Sequence, residues 1–121
     1  MARVLIVDDS PFMISLLRSL FEKAGHEVVA EAADGIHAYM EYEKHKPDMV
    51  TLDLNMPLLN GIDTIGILLE SFPDANIIVI SSEQNRDTIT DCIKKGANHY
   101  IIKPVSIEKI KTAVTKVLQS H

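Results

Sequence analysis

Apolar residues along the chain fall into two alternating patterns. Short, nearly continuous runs rich in Val and Ile occupy residues 4–7, 28–30, 49–52, 77–80 and 100–102. Runs of this length without polar alternation predict strands buried on both faces, as in a parallel sheet. Between them, apolar positions recur at helical spacing. Phe12, Leu16, Leu17, Leu20 and Phe21 predict one stripe, opened by Ser10 and Pro11 as cap and first-turn residue and stopped at Gly25. Ile107, Ile110, Val114, Val117 and Leu118 predict another, entered through Ser106 with Glu108 and Lys109 facing out. Residues 36–45, 62–72 and 86–95 predict three more helices, the last ending at Gly96. Strand and helix thus alternate five times, which predicts an α/β domain. Right-handed crossovers wind such units into a doubly wound, five-stranded parallel sheet with helices on both faces. A length of 121 residues fits one domain, residues 1–121, with no room for a separate output domain.

The polar residues just beyond the strands carry the chemistry. Asp8 and Asp9 follow the first strand, Asp53 the third, Ser81 the fourth and Lys103 the fifth. All lie at carboxyl ends, hence on one edge of a parallel sheet, where ligands bind at the point of reversed winding. With the strand order 2-1-3-4-5 of flavodoxin-like sheets, an order taken from that fold class, strands one and three flank the reversal. Asp8, Asp9 and Asp53 then converge. Clustered carboxylates repel unless a cation neutralises them, and an all-oxygen site with open positions suits Mg²⁺. Capping of the following helix is the simpler role for Asp8 and Asp9 alone; Asp53 and Lys103, arriving from distant strands, favour the metal. Lys103 beside such a site offers a positive charge to a transferring phosphoryl group. A cis Lys103–Pro104 bond would aim it inward. Ser81 adds a hydroxyl at the same edge.

Composition narrows the function classes. Twelve basic against seventeen acidic residues, a net charge of −5, argue against a nucleic-acid binder that works by neutralising phosphates. Cys92 is the only cysteine and excludes an internal disulfide. With five scattered histidines, it offers no zinc-ligand spacing. No apolar run approaches the ~20 residues of a membrane span. The opening run ends at Asp8 and is too short for a signal peptide. A cytoplasmic, monomeric protein is expected.

Four local motifs, in order, resemble the response-regulator receiver family along the whole chain. They are Val7-Asp8-Asp9-Ser10, Asp53-Leu54-Asn55-Met56-Pro57 with Asn60-Gly61 behind it, Ser81-Ser82, and Lys103-Pro104. The resemblance is strongest to the family's stand-alone chemotaxis regulators. It implies a two-component switch that accepts a phosphoryl group from a histidine kinase on Asp53. Mg²⁺ would be held directly by Asp9, Asp53 and the backbone carbonyl of Asn55, and by Asp8 through water. Ser81 and Lys103 would hold the phosphoryl oxygens. Asn55 and Glu83 would tune dephosphorylation, and Ser81 with Tyr100 would form the switch, Tyr100 turning inward from a solvent-facing rotamer. Such a protein is not an enzyme beyond its own phosphorylation and dephosphorylation. Its output is a partner docking on the face of the fourth helix, fifth strand and fifth helix, where Arg86, Lys94, Lys95, His99 and Lys111 make a basic patch. Chemotaxis or flagellar control is the expected pathway, with a phosphorelay carrier or a receiver cut from a larger regulator as alternatives. A flavin-nucleotide module would need a phosphate-cradling loop where Asp8-Asp9-Ser10-Pro11 stands. A phosphatase working through an aspartyl phosphate would need a substrate cap. Gly66 is costly inside a predicted helix, by roughly 1 kcal/mol relative to alanine.

Overall fold

Strands and helices alternate throughout the computed structural model, which describes residues 1–119. The elements are β1 (Arg3–Val7), α1 (Pro11–Lys23), β2 (Glu27–Ala32), α2 (Gly35–His45), β3 (Met49–Leu52), α3 (Gly61–Ser71), β4 (Ile77–Ser81), α4 (Arg86–Lys95), β5 (His99–Ile102) and α5 (Ile107–Gln119). The strands form one parallel sheet in the order β2-β1-β3-β4-β5, the doubly wound architecture expected. The central strands read as continuous apolar runs because their alternate side chains enter two different cores. Leu5, Val7, Val50, Leu52, Ile77 and Val79 pack with Ala38, Tyr42, Ile65, Leu68 and Cys92 on the side of α2, α3 and α4. Val4, Ile6, Met49, Ile78 and Ile80 pack with Leu17, Phe21, Ile110, Val114 and Val117 on the side of α1 and α5. Each fully buried side chain of this size contributes about 1.5–3 kcal/mol. Edge strand β2 instead alternates exposed and buried residues.

Helix boundaries follow local chemistry. Ser10 Oγ accepts the Met13 N–H at 3.2 Å with Pro11 in the first turn. Gly96, at φ +122°, takes the left-handed conformation that ends α4. No helix among the described residues is long and apolar enough to cross a membrane.

Two stripe assignments need correction. Phe12 is 74% exposed. It stands five residues before Leu17, about 140° round the helix at 3.6 residues per turn, so Met13 and Ile14 face the core in its place. Leu118, 40% exposed, lies at the margin of the α5 stripe. A Cβ at Gly66 would sit 2.8 Å from Cε of Lys95, the movable end of a long side chain, so that contact does not require glycine and the structure does not explain the residue.

Candidate functional site

The parallel register places the acidic residues side by side. Val7 pairs with Leu52, so Asp8 and Asp53 leave adjacent strands at the same level. The Asp53 N–H donates to the Val7 carbonyl at 3.0 Å, and the Asp8 N–H to that of Ala32 at 3.0 Å. Asp8 and Asp53 are buried and Asp9 is exposed. One carboxylate oxygen from each lies within 4.8 Å of the others. Ser10 takes over the capping of α1, and Asp8 Oδ1 accepts the Ser10 N–H at 2.9 Å. The bond between Lys103 and Pro104 is cis, as expected. Lys103 Nζ reaches over the end of β4 to lie 3.4 Å from Asp8 Oδ2 and 3.5 Å from Asp53 Oδ1.

Three carboxylates thus face one ammonium, an excess of negative charge in a largely buried site. Burial above all, and then Asp8, push the Asp53 carboxyl above the usual aspartate range, with Lys103 opposing. Hard oxygen donors with uncompensated negative charge fit a small divalent cation such as Mg²⁺ and do not fit zinc. Cys92, the one thiol, is buried in the core on the inner face of α4.

Around this centre the other predicted residues take distinct places. Ser81 is fully buried as the last residue of β4, not beyond it, and its Oγ accepts the Glu83 N–H at 3.1 Å. Asn55 and Glu83 line one cleft of about 380 Å³ with Asn60, Asp63 and Thr88. Glu83 Oε1 accepts the Asn85 N–H at 2.8 Å, and Asn85 caps α4 through the N–H groups of Asp87 and Thr88. Tyr100 departs from the expected solvent-facing rotamer. Its ring packs half-buried against the α2–α4 core, and its hydroxyl donates to the Glu83 carbonyl at 2.8 Å. That burial raises the phenol above its ordinary value.

The predicted basic patch is only partly assembled. Arg86, Lys94 and Lys111 are exposed. His99 is half-buried, and that burial together with Lys116 lowers its pKa. Lys95 lies across α3, flanking Asp63, Gly66 and Glu70, away from β5.

Two close contacts beside the site were not legible in the sequence, although the residues that make them were noted there. A Cβ at Gly61 would lie 2.6 Å from the Asp53 carbonyl oxygen and from Leu54 Cα, so only glycine lets α3 start against the acceptor segment. Asn60, which caps α3, is the adjacent signal. Lys109 faces out as expected, and from that exposed position its Nζ donates to the carbonyls of Ile102 and Pro104.

Comparison with known proteins agrees with this architecture. A family profile for the response regulator receiver domain matches residues 4–115. The chain is 43% identical over 115 residues to the chemotaxis protein CheY of Thermotoga maritima, covering 95% of this chain and 96% of that protein. It is 37% identical over 116 residues to CheY of Bacillus subtilis, covering 96% and 97%. Among solved structures, the CheX–CheY complex of Borrelia burgdorferi with BeF3 and Mg²⁺ superposes with a TM-score of 0.93 at 36% identity, covering 96% of this chain and 88% of that one. With the fold, the strand order and the acidic edge all in agreement, the chain belongs to the response regulator receiver domain family and is CheY-like.

Proposed function

We propose that this chain is a phosphorylation-activated switch of a two-component pathway and that Asp53 accepts the phosphoryl group. The observation that carries the proposal is the meeting of three carboxylates within 4.8 Å with the Lys103 ammonium 3.4–3.5 Å from two of them. The donor is a phosphohistidine of a histidine kinase, or a small acyl phosphate. An Asp53 carboxylate oxygen forms the new bond to phosphorus as the bond to the leaving nitrogen or oxygen breaks. Asp9, Asp53 and the backbone carbonyl of Asn55 would hold Mg²⁺, with Asp8 acting through water. The bound ion supplies charge neutralisation to the transferring group. Lys103 offers its ammonium and Ser81 its hydroxyl to the phosphoryl oxygens. Water attacking the acyl phosphate returns the free carboxylate. Asn55 and Glu83, which line one cleft, set how readily that water is aligned.

Output follows from docking of a partner on the face made by α4, β5 and α5, with Ser81 and Tyr100 as the switch. Likeness to CheY proteins supports chemotaxis or flagellar control as the pathway. The test is a Mg²⁺-dependent mass gain of one phosphoryl group with acetyl phosphate, expected for the native chain and absent in Asp53→Ala. An equal gain in Asp53→Ala would place the acceptor elsewhere.

A further inference from the structure

Lys109 stands three residues into the first turn of α5, after the Ser106 cap whose Oγ accepts the Lys109 N–H at 3.2 Å. A cation there opposes the helix dipole and is disfavoured on local grounds. Its side chain compensates by folding back off the helix. Nζ donates to the Pro104 carbonyl at 2.8 Å and to the Ile102 carbonyl at 3.1 Å. Both carbonyls take this donor from outside their own segment. β5 is an edge strand paired only with β4. The Lys103 N–H points to the Ser81 carbonyl at 2.8 Å, so by strand alternation the Ile102 carbonyl faces the open edge. Pro104 has no N–H with which to knit the turn internally. Lys109 therefore pins the residues on either side of Lys103, whose ammonium lies over Asp8 and Asp53.

We propose that Lys109 is a positioning residue for phosphoryl transfer: it clamps the β5–α5 turn by its contacts to Ile102 and Pro104 and so fixes where Lys103 delivers its charge. This rests on the role of Lys103 proposed above. Charge-assisted hydrogen bonds are the stronger kind, and a two-point anchor fixes direction as well as distance. A shift of an ångström in a group that neutralises transferring charge costs up to about a hundredfold in rate, and a partial loosening about tenfold or less.

The experiment is a double-mutant cycle on the full chain, using Lys109→Met, Lys103→Met and the pair, with Lys109→Arg as the conservative variant. The readouts are the rate of phosphorylation by acetyl phosphate in Mg²⁺, the affinity for beryllofluoride, and the affinity for Mg²⁺ alone. Lys109→Met is expected to slow phosphorylation and weaken beryllofluoride binding about three- to tenfold. Mg²⁺ affinity should stay within about twofold, and Lys109→Arg should restore the native rate. In the Lys103→Met background, Lys109→Met should cost nothing further, since the group it positions is gone. Additive losses, a parallel loss of Mg²⁺ affinity, or a native rate in Lys109→Met would overturn the proposal. Amide shifts of Lys103, Val105 and Ser106 in Lys109→Met give a measure independent of the reaction. If Lys103→Met alone leaves the rate intact while those amides move, it is the role of Lys103 that fails and not the clamp.

Discussion

Asp53→Asn removes one buried charge from the acidic cluster, and its effect on stability can be worked from the geometry. At an effective dielectric of about 20, unit charges within 4.8 Å of one another repel by at least about 3.5 kcal/mol. Asp8, buried beside Asp53, exerts close to that; Asp9 exerts less, being exposed and screened. Lys103 at 3.5 Å returns about 5 kcal/mol of attraction. The pairwise terms nearly cancel, which leaves the desolvation of a buried carboxylate, several kcal/mol after relaxation, as the deciding contribution. In the variant Lys103 keeps its contact with Asp8. Without metal, Asp53→Asn is therefore expected to be more stable than the native chain at neutral pH by about 1–3 kcal/mol.

The pH dependence has a definite sign. The folded-state pKa of Asp53 is raised by burial, so the folded chain binds a proton more tightly there than the unfolded chain. Native stability falls as pH rises from the ordinary aspartate range through the raised value, and the variant lacks that fall. Divalent cation should narrow that gap. Mg²⁺ at a hundred times its dissociation constant adds about 2.7 kcal/mol to a chain that binds it only when folded, and the variant receives less. The assay is urea unfolding of both chains in EDTA and in Mg²⁺ across pH 4–8. A variant less stable than the native chain in EDTA at pH 7, or an equal gain from Mg²⁺ in both, would refute the electrostatic account.

Four further outcomes are expected. Thr51 Oγ1 is fully buried between Ile6 and Ile78 without a hydrogen-bond partner among the described residues, so Thr51→Val should stabilise the fold by about 1 kcal/mol, read as a higher urea midpoint at unchanged m-value. Gly61→Ala would push a Cβ into the Asp53 carbonyl; it should cost about 1–3 kcal/mol in thermal unfolding and slow phosphorylation by acetyl phosphate. His26 Nδ1 accepts the Ala2 N–H at 2.9 Å, and burial, then the positive amino terminus, hold its pKa below the ordinary value; its contribution is complete above about pH 6.5 and is lost as pH falls through the folded value, so His26→Asn should flatten that part of the stability–pH profile. Asn55→Lys and Glu83→Lys should each lengthen the life of the acyl phosphate from seconds or minutes, followed by loss of radiolabel; a native phosphate stable for hours would remove the role given to that cleft.

How much the sequence disclosed depended on the kind of contact involved. β1, β3 and β4 were legible because burial on both faces leaves no polar alternation. The site was legible because parallel strands deliver their carboxyl ends to one edge, so Asp8, Asp53 and Lys103 meet despite their distance in the chain. Phe12 misled because an apolar residue in a first turn resembles a stripe member until its angle to Leu17 is counted. Lys95 misled because the course of a long side chain leaves no trace in composition, and it lies across α3 at Gly66; the two backbone carbonyls that the outward-facing Lys109 reaches are hidden in the same way. The partner of the Tyr100 hydroxyl was hidden for the same reason, being the carbonyl of Glu83.

That last contact changes how the switch is to be understood. Ser81 Oγ accepts the Glu83 N–H, the Glu83 carbonyl accepts the Tyr100 hydroxyl, and the Glu83 carboxylate accepts the N–H of the residue capping α4. One residue thus ties the buried end of β4 to the aromatic ring and to the start of α4. The docked ring is one arrangement of a two-state element, and the proposed phosphorylation of Asp53 would act by changing its population. Ser81 can do so. Its oxygen is engaged as an acceptor, leaving its hydroxyl hydrogen for an anion at Asp53. A hydrogen bond to an ionised group is worth about 1.5–3 kcal/mol, a shift of about ten- to a hundredfold in a two-state balance. A balance that is near even beforehand would be driven almost wholly inward by that amount, with Glu83 carrying the change from the acceptor to α4.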